Sequence, residues 1–156
     1  MTPAIDALDR AGIQYRLHEY DHDPSADSYS LEAASKLGVS EARLFKTLVV
    51  RIGGSKDLAV AVLPASKRLD FKAFAKAVGV KNAAMADRNV VEKTTGYVLG
   101  GVSPLGQRKK LRTLIDESAT ACETIYVSAG RRGLQIELAP DDLRALTDAQ
   151  LGSIGV

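Results

Sequence analysis

Aromatic residues and cysteine are scarce in this sequence, and each scarcity excludes something. Only 5% of the 156 residues are aromatic and tryptophan is absent, so the core is predicted to be aliphatic. The single cysteine, Cys122, excludes an internal disulfide framework and favours a reducing, cytoplasmic environment. No segment approaches the roughly twenty apolar residues of a membrane span, and the N-terminus lacks the apolar run of a secretory signal. A cytoplasmic protein with no membrane partner is expected.

A strong excess of one charge is also lacking. The net charge is +2, far below that of dedicated nucleic-acid-binding domains. Local positive clusters occur at Gln107–Arg112, Lys67–Arg68 and Arg131–Arg132, but solvated surface is the commoner explanation for any one such cluster. Hydrophobic residues make up 46% of the chain, which is enough to build the core of one domain spanning residues 1–156.

Capping residues and hydrophobic periodicity predict the secondary structure. The predicted helices cover residues 2–12, 30–38, 69–79, 85–96 and 140–147. The predicted strands cover residues 13–20, 43–52, 57–64, 112–118, 123–130 and 134–139. The second and third strands flank a Gly-Gly-Ser-Lys turn and read as an antiparallel hairpin. Because strands and helices do not alternate strictly, we expect an α/β (α+β) fold, with a mixed, curved, barrel-like sheet and short flanking helices.

One motif, HEYDH at His18–His22, matches the H-E-x-x-H pattern of zinc proteases. That chemistry needs both histidines on one face of a helix. Here the segment continues a strand pattern, and Pro24 disfavours helical structure at Asp23. On a strand the two histidines would lie roughly 13 Å apart, too far to share one metal. We therefore expect neither a metal site nor a cofactor.

A nucleophile supplied by the protein is poorly supported. Cys122 has neither a glycine-rich elbow nor a histidine near it in sequence, and it is predicted to be a small buried apolar residue. Both histidines of the chain lie in one strand-loop segment, and no serine protease-like motif accompanies them. If the protein is an enzyme, it is expected to work without a covalent enzyme intermediate.

Two features indicate a pocket for a polar ligand. Lys46 interrupts the apolar run LFKTLVV; its side chain either lies on the solvated face of the strand or projects a positive charge into a cavity. The segment YVLGGVSPLG, Tyr97–Gly106, begins like a strand and breaks at Gly100–Gly101. Its glycines either form a structural turn or allow a ligand to approach backbone N–H groups closely.

These residues lie within longer segments that carry a family resemblance. The segments include MTPAIDALDRAGI, HEYDHDP, FKTLVV, MADRNVVEKTTGYVLGGVSPLGQRKKL and TIYVSAGRRGL. In them the chain resembles the YbaK/EbsC family, and within it the bacterial YbaK-type Cys-tRNA(Pro) deacylases. The resemblance extends over nearly the whole chain, and the block Met85–Lys110 is its most specific part.

The resemblance implies a mixed sheet related to the editing domain of prolyl-tRNA synthetase, and the hydrolytic release of cysteine from mischarged proline tRNA. The implied partners are the 3′ end of aminoacylated tRNA and prolyl-tRNA synthetase. Lys46 is similar to the family's essential lysine, and Gly101 lies in its glycine loop. The implied substrate-binding residues are Tyr20, Tyr29, Thr47, Gly100, Val102, Ser103, Pro104, Ser128 and Arg131.

Two positions depart from the family pattern. Ala129 replaces a usual glycine and Gln135 replaces a usual aspartate, which leaves the amino-acid preference open. The alternatives are a deacylase of the same family with another preference, such as alanine, and a non-catalytic module that binds tRNA or a synthetase.

Overall fold

Five α-helices and eight β-strands are present in the computed structural model, which describes residues 1–156. The α-helices are α1 (Pro3–Ala11), α2 (Tyr29–Leu37), α3 (Phe71–Val78), α4 (Arg88–Thr95) and α5 (Pro140–Thr147). The strands are β1 (Arg16–Glu19), β2 (Phe45–Ile52), β3 (Leu58–Pro64), β4 (Ala83–Met85), β5 (Arg112–Asp116), β6 (Ile125–Ser128), β7 (Leu134–Leu138) and β8 (Gln150–Gly152). A 3₁₀ helix covers Glu117–Ala121. None of the helices has both the length and the apolar character that crossing a membrane requires.

The strands form two sheets rather than a barrel. The larger sheet has the order β4-β2-β3-β5-β8, and the smaller has the order β1-β7-β6. The larger sheet is mixed, because β2 pairs antiparallel with β3 and β4 while β3, β5 and β8 run parallel. Between the sheets there is one isolated bridge, Leu44 to Tyr126. The α+β class and the mixed sheet are confirmed, but the barrel-like closure is wrong, because a single bridge does not continue the hydrogen-bonded ladder.

The helices begin and end where their capping residues predict. Thr2 accepts a hydrogen bond from the Ile5 N–H at the start of α1, and Gly12 ends that helix in the left-handed conformation. Gly96 ends α4 in the same way, whereas Asp87 occupies the N-cap position of α4 without making a capping bond. Glycine is favoured at such ends because it has no Cβ to clash at positive φ.

Three local predictions differ from the structure. Strands β4 and β8 were not expected, because three residues are too few for an alternating pattern to be visible. The segment Tyr97–Gly100 is not a strand; it leads directly into a turn.

Strand β3 lies at the centre of the core, and this explains its continuous apolar sequence. Its residues alternate between two aliphatic clusters on opposite faces of the sheet. Val60 and Val62 pack on the side of α1 and α5, while Ala61 and Leu63 pack on the side of α3. A strand that is covered on both faces has no solvent-facing positions, so its sequence does not alternate between apolar and polar residues. The neighbouring strand β2 is covered less completely, with Lys46, Thr47 and Leu48 only partly buried.

A buried carboxylate fixes the C-terminal segment to the sheet. Asp116 is 1% exposed and accepts hydrogen bonds from the N–H groups of Ile154 and Gly155 and from the Ser118 hydroxyl. Lys67 lies 3.3 Å from the same carboxylate. Burial by itself raises the pKa of Asp116, but these donors outweigh burial and lower it.

We predict that Asp116→Ala destabilises the protein by about 2 kcal/mol, because buried donors lose their acceptor. The pKa of Asp116 is lower in the folded protein than in the unfolded chain. The carboxylate therefore stabilises the folded state at pH values above the unfolded pKa of about 4, and this stabilisation is lost as the pH falls toward the folded pKa. Urea unfolding at neutral and acidic pH measures both effects. The matched control is Asp57→Ala, an exposed position expected to change stability by less than about 0.5 kcal/mol.

Candidate active site

A cavity of about 300 Å³ opens between the start of α2, strand β2, the glycine loop and the ends of β6 and β7. Its lining combines polar and apolar side chains. The lining residues are Asp27, Ser28, Tyr29, Ser30, Leu44, Phe45, Lys46, Thr47, Leu48, Leu99, Gly100, Val102, Ser128 and Gln135.

Lys46 supplies the only cationic side chain of this lining. The structure decides between the two interpretations of this residue, because the side chain lines the cavity. Burial lowers the pKa of Lys46, and no acidic side chain opposes this effect. An ammonium group held in this way favours an anionic or electron-rich ligand atom as its partner.

Tyr29, the first residue of α2, forms one wall of the cavity. The Tyr29 ring centroid lies 5.7 Å from that of His22 and 5.1 Å from the Arg132 guanidinium. Arg132 also donates a hydrogen bond from Nε to the Leu99 carbonyl at 2.8 Å. One arginine therefore fixes both the aromatic wall and the beginning of the glycine loop.

A second set of contacts fixes the segment that precedes α2. Glu32 is 8% exposed, and its carboxylate accepts hydrogen bonds from His22 Nδ1 at 2.7 Å and from the Asp23 N–H at 2.6 Å. Lys36 lies 3.2 Å from Glu32. Burial acts to raise the pKa of Glu32, but these partners outweigh it and lower the pKa.

The two glycines of the loop have different immediate neighbours. A Cβ on Gly100, which has φ of +85°, would lie 2.5 Å from the Tyr29 ring, and a Cβ on Gly101 would lie 2.8 Å from Arg131 Cα. The Gly101 N–H is also engaged, since it donates to the Val98 carbonyl at 2.9 Å. Close packing inside the protein therefore already requires glycine at both positions, and the Gly101 N–H is not free to reach a ligand.

Two polar atoms of the lining have no partner. Thr47 Oγ1 and Gln135 Oε1 are both buried and make no hydrogen bond within the protein. Ser128 differs, because its hydroxyl accepts a hydrogen bond from the Gly130 N–H at 3.2 Å. Most buried polar groups in proteins are paired, so two unpaired atoms in one cavity are unusual.

Six of the residues predicted from sequence meet in this cavity, and five do not line it. Those that line it are Lys46, Thr47, Tyr29, Gly100, Val102 and Ser128. Those outside the lining are Gly101, Tyr20, Ser103, Pro104 and Arg131.

The residues outside the lining have contacts of their own. Tyr20 packs against a small cluster that includes Ala33 and Leu44, and burial raises the pKa of its hydroxyl. Ser103 is fully buried and accepts a hydrogen bond from the Leu105 N–H. Arg131 is exposed, with its guanidinium 3.7 Å from Glu19.

Sequence reasoning missed two residues of the site. Arg132 was noticed only as part of a basic pair, and Gln135 only as a departure from a family pattern. Gln135 is the second residue of LQIEL, where polar and apolar residues alternate, so nothing in the sequence distinguishes it from a solvent-facing strand residue. Nothing in the sequence indicates that Arg132 contacts Tyr29, because more than one hundred positions separate them.

The two histidines of the HEYDH motif contact separate carboxylates. His18 Nε2 lies 2.9 Å from Glu137, whereas His22 Nδ1 lies 2.7 Å from Glu32. Each ring is thus engaged with a different element of the fold.

A larger groove of about 1120 Å³ contains Cys122, Arg43 and Glu137, but neither Lys46 nor the glycine loop lines it. Cys122 was predicted to be buried, but it is only partly buried. The thiol lies at the edge of the main core, because the preceding 3₁₀ helix runs along the surface of the domain.

Comparisons with known proteins agree with this geometry. Residues 23–146 match the family described as "Aminoacyl-tRNA editing domain". The chain is 41% identical over 154 residues to an Enterococcus faecalis protein named "Putative Cys-tRNA(Pro)/Cys-tRNA(Cys) deacylase EbsC", covering 98% of this chain and 92% of that protein. It is 32% identical over 112 residues to "Uncharacterized protein YwhH" of Bacillus subtilis, covering 72% and 70% respectively.

Solved structures share the fold over almost the whole chain. One, titled "Crystal structure of a putative trans-editing enzyme for prolyl tRNA synthetase", superposes with a TM-score of 0.85 at 25% identity and covers 99% of this chain and 95% of its own. Another, titled "Crystal structure of hypothetical protein APE2540", has a TM-score of 0.86 at 26% identity and covers 99% and 100%.

The fold and these matches define an enzyme class, that of aminoacyl-tRNA hydrolases, with aminoacylated tRNA as the substrate. The chain belongs to the aminoacyl-tRNA editing family, and the resemblance to the YbaK/EbsC proteins is confirmed.

We predict that the cost of Gly100→Ala depends on Tyr29. The substitution combines backbone strain at positive φ, about 1–3 kcal/mol, with a clash against the Tyr29 ring. In a Tyr29→Ala background only the backbone strain remains, so the cost falls. Urea unfolding of the four proteins in the double-mutant cycle measures this coupling.

Gly54→Ala is the matched control for backbone strain alone, since Gly54 has φ of +67° and nothing within 4 Å of its Cβ position. If the free-energy changes of the two single mutants add up to that of the double mutant, the Tyr29 ring does not pack against Gly100.

Proposed function

We propose that this protein is a trans-editing deacylase that releases cysteine from Cys-tRNA(Pro). The observation that carries the proposal is an unpaired, half-buried ammonium, Lys46, in a cavity of about 300 Å³. A cavity of this volume lies at the small end of ligand sites, and it suits the aminoacyl end of a tRNA better than a whole nucleotide chain.

The proposed roles follow from the lining. Lys46 holds an electron-rich oxygen of the terminal ribose or its phosphate, and Tyr29 and Ser128 bound the space beside it. The N–H groups of Gly100 and Val102 make no backbone hydrogen bond, so they are the loop donors that we assign to the developing oxyanion. Gly101 supports the loop by packing on Arg131 rather than by donating to substrate.

The nucleophile in the proposed reaction is the thiol of the substrate itself. No histidine lines the cavity, so its serine hydroxyls lack the Ser–His pairing that commonly activates a serine nucleophile. The cysteine sulfur loses its proton and attacks its own carbonyl carbon. A C–S bond forms, the ester C–O bond breaks, and the departing ribose oxygen takes up the proton that the thiol lost. The first product is a four-membered thiolactone, which water then opens to free cysteine. Holding the thiol close to the carbonyl is the main contribution required of the protein.

We further propose that prolyl-tRNA synthetase is the partner that selects the tRNA. A net charge of +2 supports only a few phosphate contacts, and such contacts provide most of the affinity for nucleic acid. A related structure is titled as a trans-editing enzyme for prolyl-tRNA synthetase, which supports this choice. The alternative is a different amino-acid preference, and the observation that favours it is the neutral Gln135 in the lining.

We predict that Lys46→Met lowers the deacylation rate by a factor on the order of 10²–10³, as expected when one charge-stabilising group is lost. Lys46→Arg should also lose activity, because a planar guanidinium does not replace a point-charge ammonium. Thermal stability of Lys46→Met should be equal or higher, because an unpaired buried charge is removed. Lys56→Ala, on the exposed hairpin turn, is the control. Wild-type activity in Lys46→Met would refute the site assignment.

We predict that cleavage requires a free thiol on the substrate. Cysteinyl-tRNA(Pro) should be deacylated much faster than the same tRNA carrying alanine, serine, proline or S-methylcysteine. The rate should rise from about pH 6 to about pH 8, because the thiolate is the reactive form and a free thiol has a pKa of about 8.5. If the alanyl or S-methylcysteinyl ester is cleaved equally fast, water rather than the thiol is the nucleophile.

A further inference from the structure

We infer that Thr47 Oγ1 and Gln135 Oε1 form a neutral acceptor pair that recognises the α-amino group of the bound aminoacyl ester. This inference rests on the proposed function, because it names the part of the substrate that the two atoms bind.

The strand pairing of β7 directs Gln135 away from the core. Its neighbours Leu134 and Ile136 both belong to the main hydrophobic cluster, and successive side chains of a strand point to opposite faces. Gln135 pairs with Ser128 of β6 on one side and with His18 of β1 on the other. Its side chain therefore lies on the cavity side of the small sheet, at 5% exposure.

The Gln135 amide lies close to the Tyr20 hydroxyl, where it opposes the increase in the Tyr20 pKa that burial causes. Its Oε1 atom is buried and makes no hydrogen bond within the protein, and Gln135 is one of the residues that line the cavity.

Thr47 contributes the second acceptor from strand β2. Thr47 is among the residues that line the cavity, and its Oγ1 is buried without a partner. A purely structural residue at this position could be valine, which has the same shape and carries no hydroxyl to leave unpaired.

The energetics favour a ligand role for this pair. A buried polar group without a partner costs about 1–3 kcal/mol, so a ligand that donates hydrogen bonds to these two atoms is favoured. Oε1 can only accept a hydrogen bond. In an aminoacyl ester the carbonyl and ester oxygens are acceptors, and the α-amino group is the strong donor.

The neutral character of the pair also matters. A carboxylate that contacted the Lys46 ammonium would neutralise it; Asp27 also lines the cavity, but it has no effect on the pKa of Lys46. An amide oxygen and a hydroxyl accept hydrogen bonds from an amine without removing that charge, so Lys46 stays available for the ribose or ester side of the substrate.

The test compares two thiol substrates that differ only in the amine. A tRNA(Pro) acceptor minihelix is charged with cysteine or with 3-mercaptopropionate, which keeps the thiol but lacks the α-amino group. For wild type, kcat/KM should favour the cysteinyl ester. In Gln135→Met and in Thr47→Val, which keep side-chain size, this preference should fall at least tenfold. A loss that is equal for both esters, or no loss, would overturn the inference.

Two further readouts separate this inference from its alternatives. Both variants should unfold at the same or higher temperature than wild type, because each removes an unpaired buried atom; a marked loss of stability would indicate a structural role instead.

Binding of amide-linked cysteinyl-adenosine and of its deamino analogue, measured by calorimetry, tests amine recognition without cleavage. If wild type binds the amine-bearing compound preferentially but does not cleave the cysteinyl ester, the proposed function fails while the inference stands. Equal binding of the two compounds overturns the inference.

Discussion

The burial of the Lys46 ammonium without a carboxylate partner is the constraint on which the site depends. Strand β2 carries this residue beside β3, whose side chains are buried on both faces, and partial burial lowers the pKa of the ammonium. The surrounding groups are arranged to leave the charge unneutralised. Asp27, the one acidic residue of the lining, makes no ion pair with Lys46, and the carboxylate of Glu32 is held by His22 and Lys36.

The walls of the cavity depend on contacts between elements that are far apart in sequence. Arg132, from the turn after β6, contacts both Tyr29 and the Leu99 carbonyl. The same turn supplies the Arg131 backbone against which Gly101 packs. The small sheet therefore does more than extend the core: its β6–β7 turn holds the aromatic wall and the glycine loop in one arrangement.

The elements with strong local signals could be predicted from the sequence. The five helices, the β2–β3 hairpin and strands β5, β6 and β7 follow from caps, glycine turns and periodicity. Strands β4 and β8 could not be predicted, because three residues carry no period. Lys46 and the glycine loop were found because each breaks a local pattern. Arg132 and the unpaired state of Gln135 could not be found, because both depend on tertiary contacts that leave no trace in neighbouring residues.

The larger sheet ends on both sides in its shortest strands, β4 and β8, each of three residues. A strand at the edge of a sheet exposes unpaired backbone groups that can pair with another chain, and long apolar edge strands are the most prone to do so. Here the long, fully apolar strand β3 lies in the centre, where its backbone is paired on both sides. The segment most prone to intermolecular β-pairing is therefore inaccessible in the folded state, and β3 can pair with another chain only after the larger sheet unfolds.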